Sequence, residues 1–294
     1  MNDATTTETG HALSRLIAQV GASRDGSERR FYWLLDRSAL PGGLWFRNWL
    51  SGDAAIDLLS GATHIEFDHP TPAIVGIDPS SSASRRTRKV NELLRVGAFA
   101  NAIAVLESSF DLRRLQVAML ARAHIELPEG IGAILRYFDT RTLPLLPHLL
   151  TPAQYAWILK PIGRWHYLDR WGELRRMPES PSTQEENGAL PQQLRLDESQ
   201  EALLIDDGMT DAIVDVLLTM RHDALRDSSP PEQFARIDPL VQCARSVGLS
   251  EHADVLAFVG HALTDGENFH LHEPWAARFA AFRANPTSPE RLFA

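Results

Sequence analysis

Cysteine is almost absent from this chain, since Cys243 is the single one among 294 residues. One cysteine forms no intrachain disulfide and excludes a cysteine-rich zinc site. Cys243 lies in an apolar helical pattern, so we interpret it as a small buried hydrophobic residue. The sequence also lacks the pattern of a secretory signal and any apolar run of the roughly 20 residues that span a bilayer. These absences predict a soluble cytoplasmic protein with no membrane partner.

Positive charge is also scarce, with 29 Lys and Arg residues against 38 Asp and Glu residues and a net charge of −9. Proteins that bind nucleic acid nonspecifically are usually basic, so the composition predicts no nucleic-acid partner. Hydrophobic residues make up 44% of the chain, which is enough for a substantial core in one large or two smaller domains. The seven tryptophans belong to a residue type common both in cores and at protein–protein contacts.

The sequence has no recognisable motif for nucleophilic catalysis or phosphate binding. A Gly-x-Ser-x-Gly elbow is missing, and neither Gly42-Gly43 nor Gly130–Gly132 fits a phosphate-binding loop. The segment His64–His69 contains two histidines and two carboxylates, but its spacing does not fit the helical zinc signature. We favour a polar-edged strand there, and surface histidines at His270 and His272. The sequence therefore predicts no catalytic residue, no metal site and no cofactor.

Hydrophobic periodicity divides the chain into two parts. In the first part, predicted strands such as Phe31–Leu35, Ala100–Leu106 and Ile131–Phe138 alternate with predicted helices, which is typical of an α/β lobe. The aromatic-dense segment Pro161–Gly172 is predicted to form a strand or hairpin that closes this lobe. After a segment rich in Pro, Ser, Glu and Gln, only helical patterns follow.

These patterns predict the fold class and the domain boundaries. We expect a mixed α/β N-terminal lobe, with a central sheet flanked by helices, followed by an all-helical C-terminal lobe. A polar, disordered tail is expected to precede a first helix at His11–Val20. The predicted segments are an N-terminal tail and helix at 1–28, the α/β domain at 29–177, a linker at 178–193 and the helical lobe at 194–294.

Two charges lie close together near the end of the predicted strand Ile131–Phe138. Arg136 is inside the strand, and Asp139 follows it directly. A charge inside an apolar strand is costly unless it is paired. We therefore expect Arg136 to form a structural ion pair with Asp139 or with Asp36, which ends the first strand. If Arg136 is buried, its replacement by alanine would cost about 3–5 kcal/mol.

Two groups of residues are candidates for contact with a partner protein. Arg85 and Arg86 begin a basic cluster in the first turn of a predicted helix, where positive charge opposes the helix dipole. Such a run is more often a solvated face, and the alternative is docking on an acidic partner surface. Trp165, Tyr167 and Trp171 form either the closing wall of the core or an exposed aromatic anchor.

A series of short motifs extends from Phe31 to Leu174. The most specific one is Leu135–Arg141, which reads Leu-Arg-Tyr-Phe-Asp-Thr-Arg. The other motifs, in chain order, are Tyr32–Asp36, Pro72–Val75, Leu106–Ser108, Leu112–Leu115, Pro161-Ile162 and Trp165–Trp171. In their order and spacing, these motifs resemble the type VI secretion effector chaperones, also called adaptors, of domain of unknown function family 4123. That family has Arg-Tyr-Tyr-Asp-Pro-Arg in the most specific motif, and Thr140 stands here in place of its proline.

The resemblance implies a non-enzymatic chaperone or adaptor. Such proteins bind a cognate effector in the cytoplasm of the producing bacterium and help load it onto the VgrG spike of the secretion machine. The implied partners are therefore the effector and the spike protein. Two alternatives stay open on the sequence alone. One is a metal-dependent hydrolase that uses the His64–His69 cluster, and the other is an immunity protein that binds a toxin.

Overall fold

A six-stranded antiparallel sheet forms the centre of the N-terminal part of the molecule. The chain forms two compact units, Met1–Leu203 and Leu204–Ala294. The first unit contains the sheet and its helices, and the second is helical, which confirms the predicted fold class. The computed structural model describes residues 3–18, 29–42, 44–61, 71–180, 193–284 and 292–293. Most of the predicted linker at 178–193 lies outside these residues.

The strands of the described residues all belong to the N-terminal unit. They are β1 (Arg30–Leu35), β2 (Ala55–Asp57), β3 (Ala73–Gly76), β4 (Ile103–Ser108), β5 (His124–Glu126), β6 (Gly132–Ile134), β7 (Arg164–Leu168), β8 (Leu174–Arg176) and β9 (Leu194–Arg195). The large sheet has the order β2-β3-β1-β4-β7-β8, and a small sheet has the order β6-β5-β9. The hairpin predicted within Pro161–Gly172 is confirmed in part, since β7 pairs with β8 just beyond that segment.

The helices are distributed over both units. Those that lie wholly in the N-terminal unit are α1 (Asp3–Ala18), α2 (Leu44–Leu50), α3 (Ala83–Gly97), α4 (Leu112–Ala123), α5 (Leu146–Leu149) and α6 (Pro152–Leu159). Helix α7 (Glu198–Thr219) begins in the first unit and ends in the second, which also contains α8 (Pro230–Ser246), α9 (His252–Asp265) and α10 (Trp275–Ala284). None of the described helices combines the length and the apolar character needed to cross a membrane.

Strand β1 lies in the middle of the large sheet and is buried from Phe31 to Leu35. Trp33 lies opposite Val75 on one neighbouring strand and opposite Val105 on the other. The Trp33 ring meets the Trp49 ring of α2 edge to face, with 6.1 Å between the ring centroids. A continuous apolar run, rather than a polar–apolar alternation, is what a strand covered on both faces requires. The sequence therefore predicts this element well.

Helix α3 packs one apolar face on the sheet and leaves the other face to solvent. Val90, Leu93 and Leu94 are buried on the inner face. Ser82 caps the start of the helix, since its hydroxyl accepts a hydrogen bond from the Arg85 amide at 3.2 Å. It ends at Gly97, where a Cβ atom would lie only 2.6 Å from the Leu40 side chain, so glycine permits this close packing. The outer face consequently carries the charged residues of the helix.

The predicted strand Ile131–Phe138 is wrong in its length. Only Gly132–Ile134 is a strand, and it pairs with β5 in the small sheet. The pairing ends where the Leu135 amide donates to the Ala123 carbonyl at 2.8 Å. The chain then turns, because the Asp139 amide donates to the Arg136 carbonyl at 2.8 Å. Arg136 is therefore not part of a strand.

The prediction of a disordered tail before the first helix is also wrong. Helix α1 begins at Asp3, so the polar residues that precede His11 are helical. This helix packs on α3, where a Cβ atom on Gly10 would lie 3.3 Å from the Leu94 side chain. Leu13 and Ile17 on the same helix are buried in the core. Tertiary packing of this face stabilises the polar first turns, which local sequence pattern does not reveal.

The C-terminal unit is built around a cluster of aromatic side chains. Phe258 of α9 meets Phe279 of α10 edge to face at 5.8 Å, and Phe269 lies 5.0 Å from Phe258. All three rings are buried. Ring contacts thereby join α9 to α10 and to the segment around Phe269, and they stabilise the helical unit.

Candidate functional site

The three residues predicted to form an ion pair lie together at the end of β1. Arg136 Nη2 lies 3.1 Å from Asp36 Oδ2 and 4.0 Å from Asp139 Oδ2. The two carboxylates are buried, whereas the Arg136 side chain is 54% exposed. Asp36 also accepts hydrogen bonds from the amide and the hydroxyl of Ser38. The cost of 3–5 kcal/mol expected for a buried arginine therefore does not apply.

The residues that follow Arg136 fix this segment across the ends of the central strands. Asp139 accepts hydrogen bonds from Nε and Nη2 of Arg141. The Thr140 amide donates to the Asn101 carbonyl at 2.8 Å, and its buried hydroxyl donates to the Leu168 carbonyl at 2.6 Å. These polar groups bond to one another and to the backbone, so we assign the cluster to the fold.

Two of the aromatic residues predicted as partner contacts are core residues. Trp165 and Tyr167 are 1% and 7% exposed, because β7 lies inside the large sheet between β4 and β8. The Trp165 ring meets the buried Tyr137 ring edge to face at 5.6 Å. Of the two alternatives that the sequence leaves open, these two side chains therefore fit the closing wall of the core and not an exposed anchor. Trp171, in the turn between β7 and β8, is 47% exposed beside Arg170.

Arg85 and Arg86, the other predicted contact residues, bind loops of their own unit. Arg85 Nη2 donates to the Ser51 carbonyl, and Arg86 Nη1 donates to the carbonyls of Pro79 and Ser81. Hydrogen bonds from Ser80 lower the pKa of the nearby Asp78 carboxyl, and the charges of Arg85 and Arg86 add to this effect. The positive charge of the first turn of α3 is therefore balanced by groups of the same unit. Both arginines hold loops of that unit in place.

A buried carboxylate connects α2 to α3. The Asp53 side chain, only 8% exposed, pairs with Lys89 Nζ and lies 3.7 Å from Arg85 Nη2. Lys89 also lies 4.9 Å above the Trp49 ring, whose Nε1 donates to the Lys89 carbonyl at 3.1 Å. Gly52 has a φ of +83°, which favours glycine and brings the chain close to Arg85. We call Asp53, Arg85 and Lys89 the α2–α3 junction.

An open groove of about 450 Å³ lies beside this junction and is called here the α2–α3 groove. Its lining includes Trp45 and Asn48 of α2 and Arg85, Arg88, Glu92 and Arg95 of α3. Arg88 and Arg95 are seven residues apart, so two helical turns separate them on one face. The Arg88 side chain is 70% exposed. The groove therefore contains two arginines, Arg88 and Arg95, that do not belong to the α2–α3 junction.

The groove is positively charged although the chain is acidic. Its lining contains four cationic residues, Arg85, Arg88, Lys89 and Arg95, and one carboxylate, Glu92. The buried Asp53 carboxylate, which pairs with Lys89, balances part of this charge. Arg88 Nε lies 4.0 Å from Glu92 Oε1, and an exposed pair at such a distance is weak. On a chain with a net charge of −9, this concentration of positive charge attracts anionic groups.

An aromatic wall forms the α2 side of the groove. The Trp45 ring stacks on the Trp49 ring with 6.4 Å between centroids, and it lies 6.3 Å from the Phe46 ring. Phe46 and Trp49 are buried, whereas Trp45 is only partly buried and lines the groove. Tryptophan and arginine are both enriched among the residues that contribute most to the energy of protein–protein contacts.

Sequence reasoning did not identify Trp45 or Arg95 as candidate site residues. The signal for the arginines was the spacing of Arg88 and Arg95 by two helical turns on the polar face of α3. The signal for the tryptophans was the spacing of Trp45 and Trp49 by four residues on a short helix. The two signals are far apart in the sequence, and only the fold brings them together in one groove.

No metal site is found among the residues that the structure describes, where no group of three or more His, Cys, Asp or Glu side chains could hold an ion. The His64–His69 segment, the basis of the hydrolase alternative, lies outside the described residues. The polar-edged strand favoured for this segment lies outside them as well.

Cys243 and His270 form a pair that sequence reasoning missed. Cys243 Sγ lies 3.8 Å from His270 Nε2, and His270 is buried rather than on the surface as predicted. Burial raises the pKa of the Cys243 thiol. Burial also lowers the pKa of His270, and the charges of Arg283 and His272 act in the same direction. A nucleophilic cysteine needs the opposite pKa shifts, so this environment does not favour a reactive thiolate at Cys243.

Comparison with known proteins adds no assignment. The chain matches no family model, no curated protein and no solved structure. The resemblance of the motifs between Phe31 and Leu174 to the effector chaperones therefore stays a prediction from the sequence.

Replacing Arg136 by alanine should lower the free energy of unfolding by about 1 kcal/mol, because the arginine is half exposed and Asp36 keeps its bonds from Ser38. Urea denaturation measures this effect. Arg88→Ala, which removes an exposed arginine from a weak pair with the partly exposed Glu92, is the control and should change stability by less than about 0.5 kcal/mol. A loss as large as that expected for a buried arginine would contradict this interpretation.

Replacing Asp53 by alanine should lower the free energy of unfolding of the N-terminal unit by about 3 kcal/mol, because Lys89 would be left buried without its partner. Asp57→Ala is the matched control. Asp57 is also paired, with Arg37, but its side chain is 46% exposed, so the loss should be about 0–1 kcal/mol. Equal losses in the two variants, measured by urea denaturation, would show that the junction does not depend on burial.

The stability of the C-terminal unit should fall as the pH drops below about 6.5, because His270 takes up a proton more readily when unfolded than when buried. His270→Leu should reduce this pH dependence. His272→Leu removes an exposed histidine nearby and should retain it. Urea denaturation at several pH values tests this, and identical pH profiles for the His270→Leu variant and the parent would contradict it.

Proposed function

We propose that this protein is a non-enzymatic adaptor that binds a secreted effector protein in the bacterial cytoplasm. Its role would be to help load the effector onto the VgrG spike of a type VI secretion system. The motif resemblance suggests the family. The observation that carries the binding function is the α2–α3 groove, with Trp45 on one wall and Arg88 and Arg95 on the other.

The form of the groove favours a macromolecular partner over a small substrate. Small-molecule sites are usually concave and mostly apolar, with a few polar groups placed for one ligand. This groove is open and mainly polar, and it continues along the outer face of α3 past Thr87 and Asn91. An extended surface of this kind suits a segment of another protein chain.

The polar clusters at Asp36 and at Cys243 favour a structural role over a catalytic one. Asp36, Arg136 and Asp139 are bonded to neighbouring side chains and backbone groups. The Cys243 thiol is made less acidic by its burial. A role in binding accounts for the exposed polar surface of α3 better than a role in catalysis does.

Co-expression tests the proposal. The full chain should be expressed with each protein encoded beside its gene, and each pair should be passed over a size-exclusion column without added nucleotide. We expect one effector to co-elute with this protein and to be less soluble without it. A region of the effector other than its toxic domain should be sufficient for binding.

Two results would contradict the adaptor function. If none of the neighbouring proteins co-elutes or gains solubility, the protein is not an effector adaptor. If binding requires the toxic domain and protects cells against it, the protein is an immunity protein instead. A neighbouring protein that carries no secretion function serves as the matched negative control in the same experiment.

A further inference from the structure

We propose that the α2–α3 groove binds an acidic amphipathic helix of the partner. Two carboxylates on that helix would pair with Arg88 and Arg95, and an apolar side chain between them would pack on Trp45. This inference rests on the proposed function, because it names the chemistry of the segment that the adaptor binds.

Charge is the first argument for an acidic partner. Asp53 already neutralises much of the charge of Arg85 and Lys89, whereas among the described residues Arg88 is paired only with the distant Glu92 carboxylate. Within the described residues, no carboxylate lies within ion-pair distance of Arg95. Two arginines on one side of a groove, with a single carboxylate between them, leave a net positive surface that a carboxylate-bearing segment would complement.

Spacing is the second argument, and it favours a helix. Arg88 and Arg95 are separated by two helical turns, or roughly 10 Å along α3. Acidic residues two turns apart on a helix that lies along α3 match this distance. Amphipathic helices bind grooves in this way, with apolar anchors facing the groove and charges at its edges. The part-buried Trp45 ring supplies the apolar surface for such an anchor.

Nucleic acid fits the groove less well than an acidic peptide does. Binding to a phosphate backbone usually requires many Lys and Arg contacts along an extended basic surface. Here the arginines of the groove share its lining with the carboxylate of Glu92, on a chain with a net charge of −9. A carboxylate within the binding surface opposes every anion, so a partner with a few well-placed charges is favoured over a polyanion.

A binding experiment with a synthetic peptide tests the inference. The probe is a labelled helical peptide with two glutamates two turns apart and a leucine between them, and fluorescence anisotropy measures its affinity for the full chain. The Arg88→Glu and Arg95→Glu double variant should bind it at least about tenfold more weakly. Glu92→Gln should bind it about threefold more tightly, because the opposing carboxylate is removed.

The controls separate charge in the groove from charge elsewhere. Arg113→Glu combined with Arg226→Glu changes the net charge equally at exposed sites outside the groove and should leave the affinity unchanged. A peptide with lysines in place of the glutamates should not bind. Increased salt should weaken binding of the acidic peptide. Circular dichroism should show that each variant is folded.

Three results would overturn the inference. These are no binding of the acidic peptide, equal affinity of the groove and control variants, or tighter binding of a single-stranded oligonucleotide than of the peptide. The same variants, used with a co-eluting effector, distinguish this failure from failure of the proposed function. If an effector binds and neither charge reversal nor Glu92→Gln changes its affinity, the adaptor function stands and the groove is not the site.

Discussion

The burial of one carboxylate, that of Asp53, determines the geometry on which the candidate site depends. A buried charge is stable only when it is paired, and Asp53 meets this requirement through Lys89 and Arg85. Both cations belong to α3, whereas Asp53 follows α2, so the pairing fixes the short helix against the long one. The Trp49 indole, which donates to the Lys89 carbonyl, adds a second connection. The groove exists because these two helices are held side by side.

The same constraint divides the basic residues of α3 into two sets. Arg85, Arg86 and Lys89 bond to carbonyls or to Asp53 and therefore stabilise the unit. Arg88 and Arg95 lie on the polar face and keep their charge available. A similar division holds at the end of β1, where buried carboxylates bind arginines that are partly exposed. Positive charge thus has a structural role at some positions and a proposed binding role at others.

The sequence predicts correctly the elements that are buried along their whole length. The prediction fails for segments whose burial depends on residues that are distant in the sequence. The run Phe31–Leu35 predicts a strand correctly, because a continuous apolar run suits a strand covered on both faces. Ile131–Phe138 has a similar composition, but Tyr137 is buried in a turn, where its hydroxyl donates to the Met119 carbonyl. The basic cluster was visible in the sequence, yet only the position of Asp53 shows that Arg85 is held and Arg88 is not. Local pattern contains no information about such pairings.

Hydrogen–deuterium exchange of the protein alone and with its co-eluting effector tests most directly the central claim that the α2–α3 groove binds a partner protein. The account predicts slower exchange on binding in α2 and in α3, which form the two walls of the groove. The exposed turn between β7 and β8, which contains Trp171, should exchange at an unchanged rate. Protection elsewhere in the chain, with none in α2 or α3, would contradict the account.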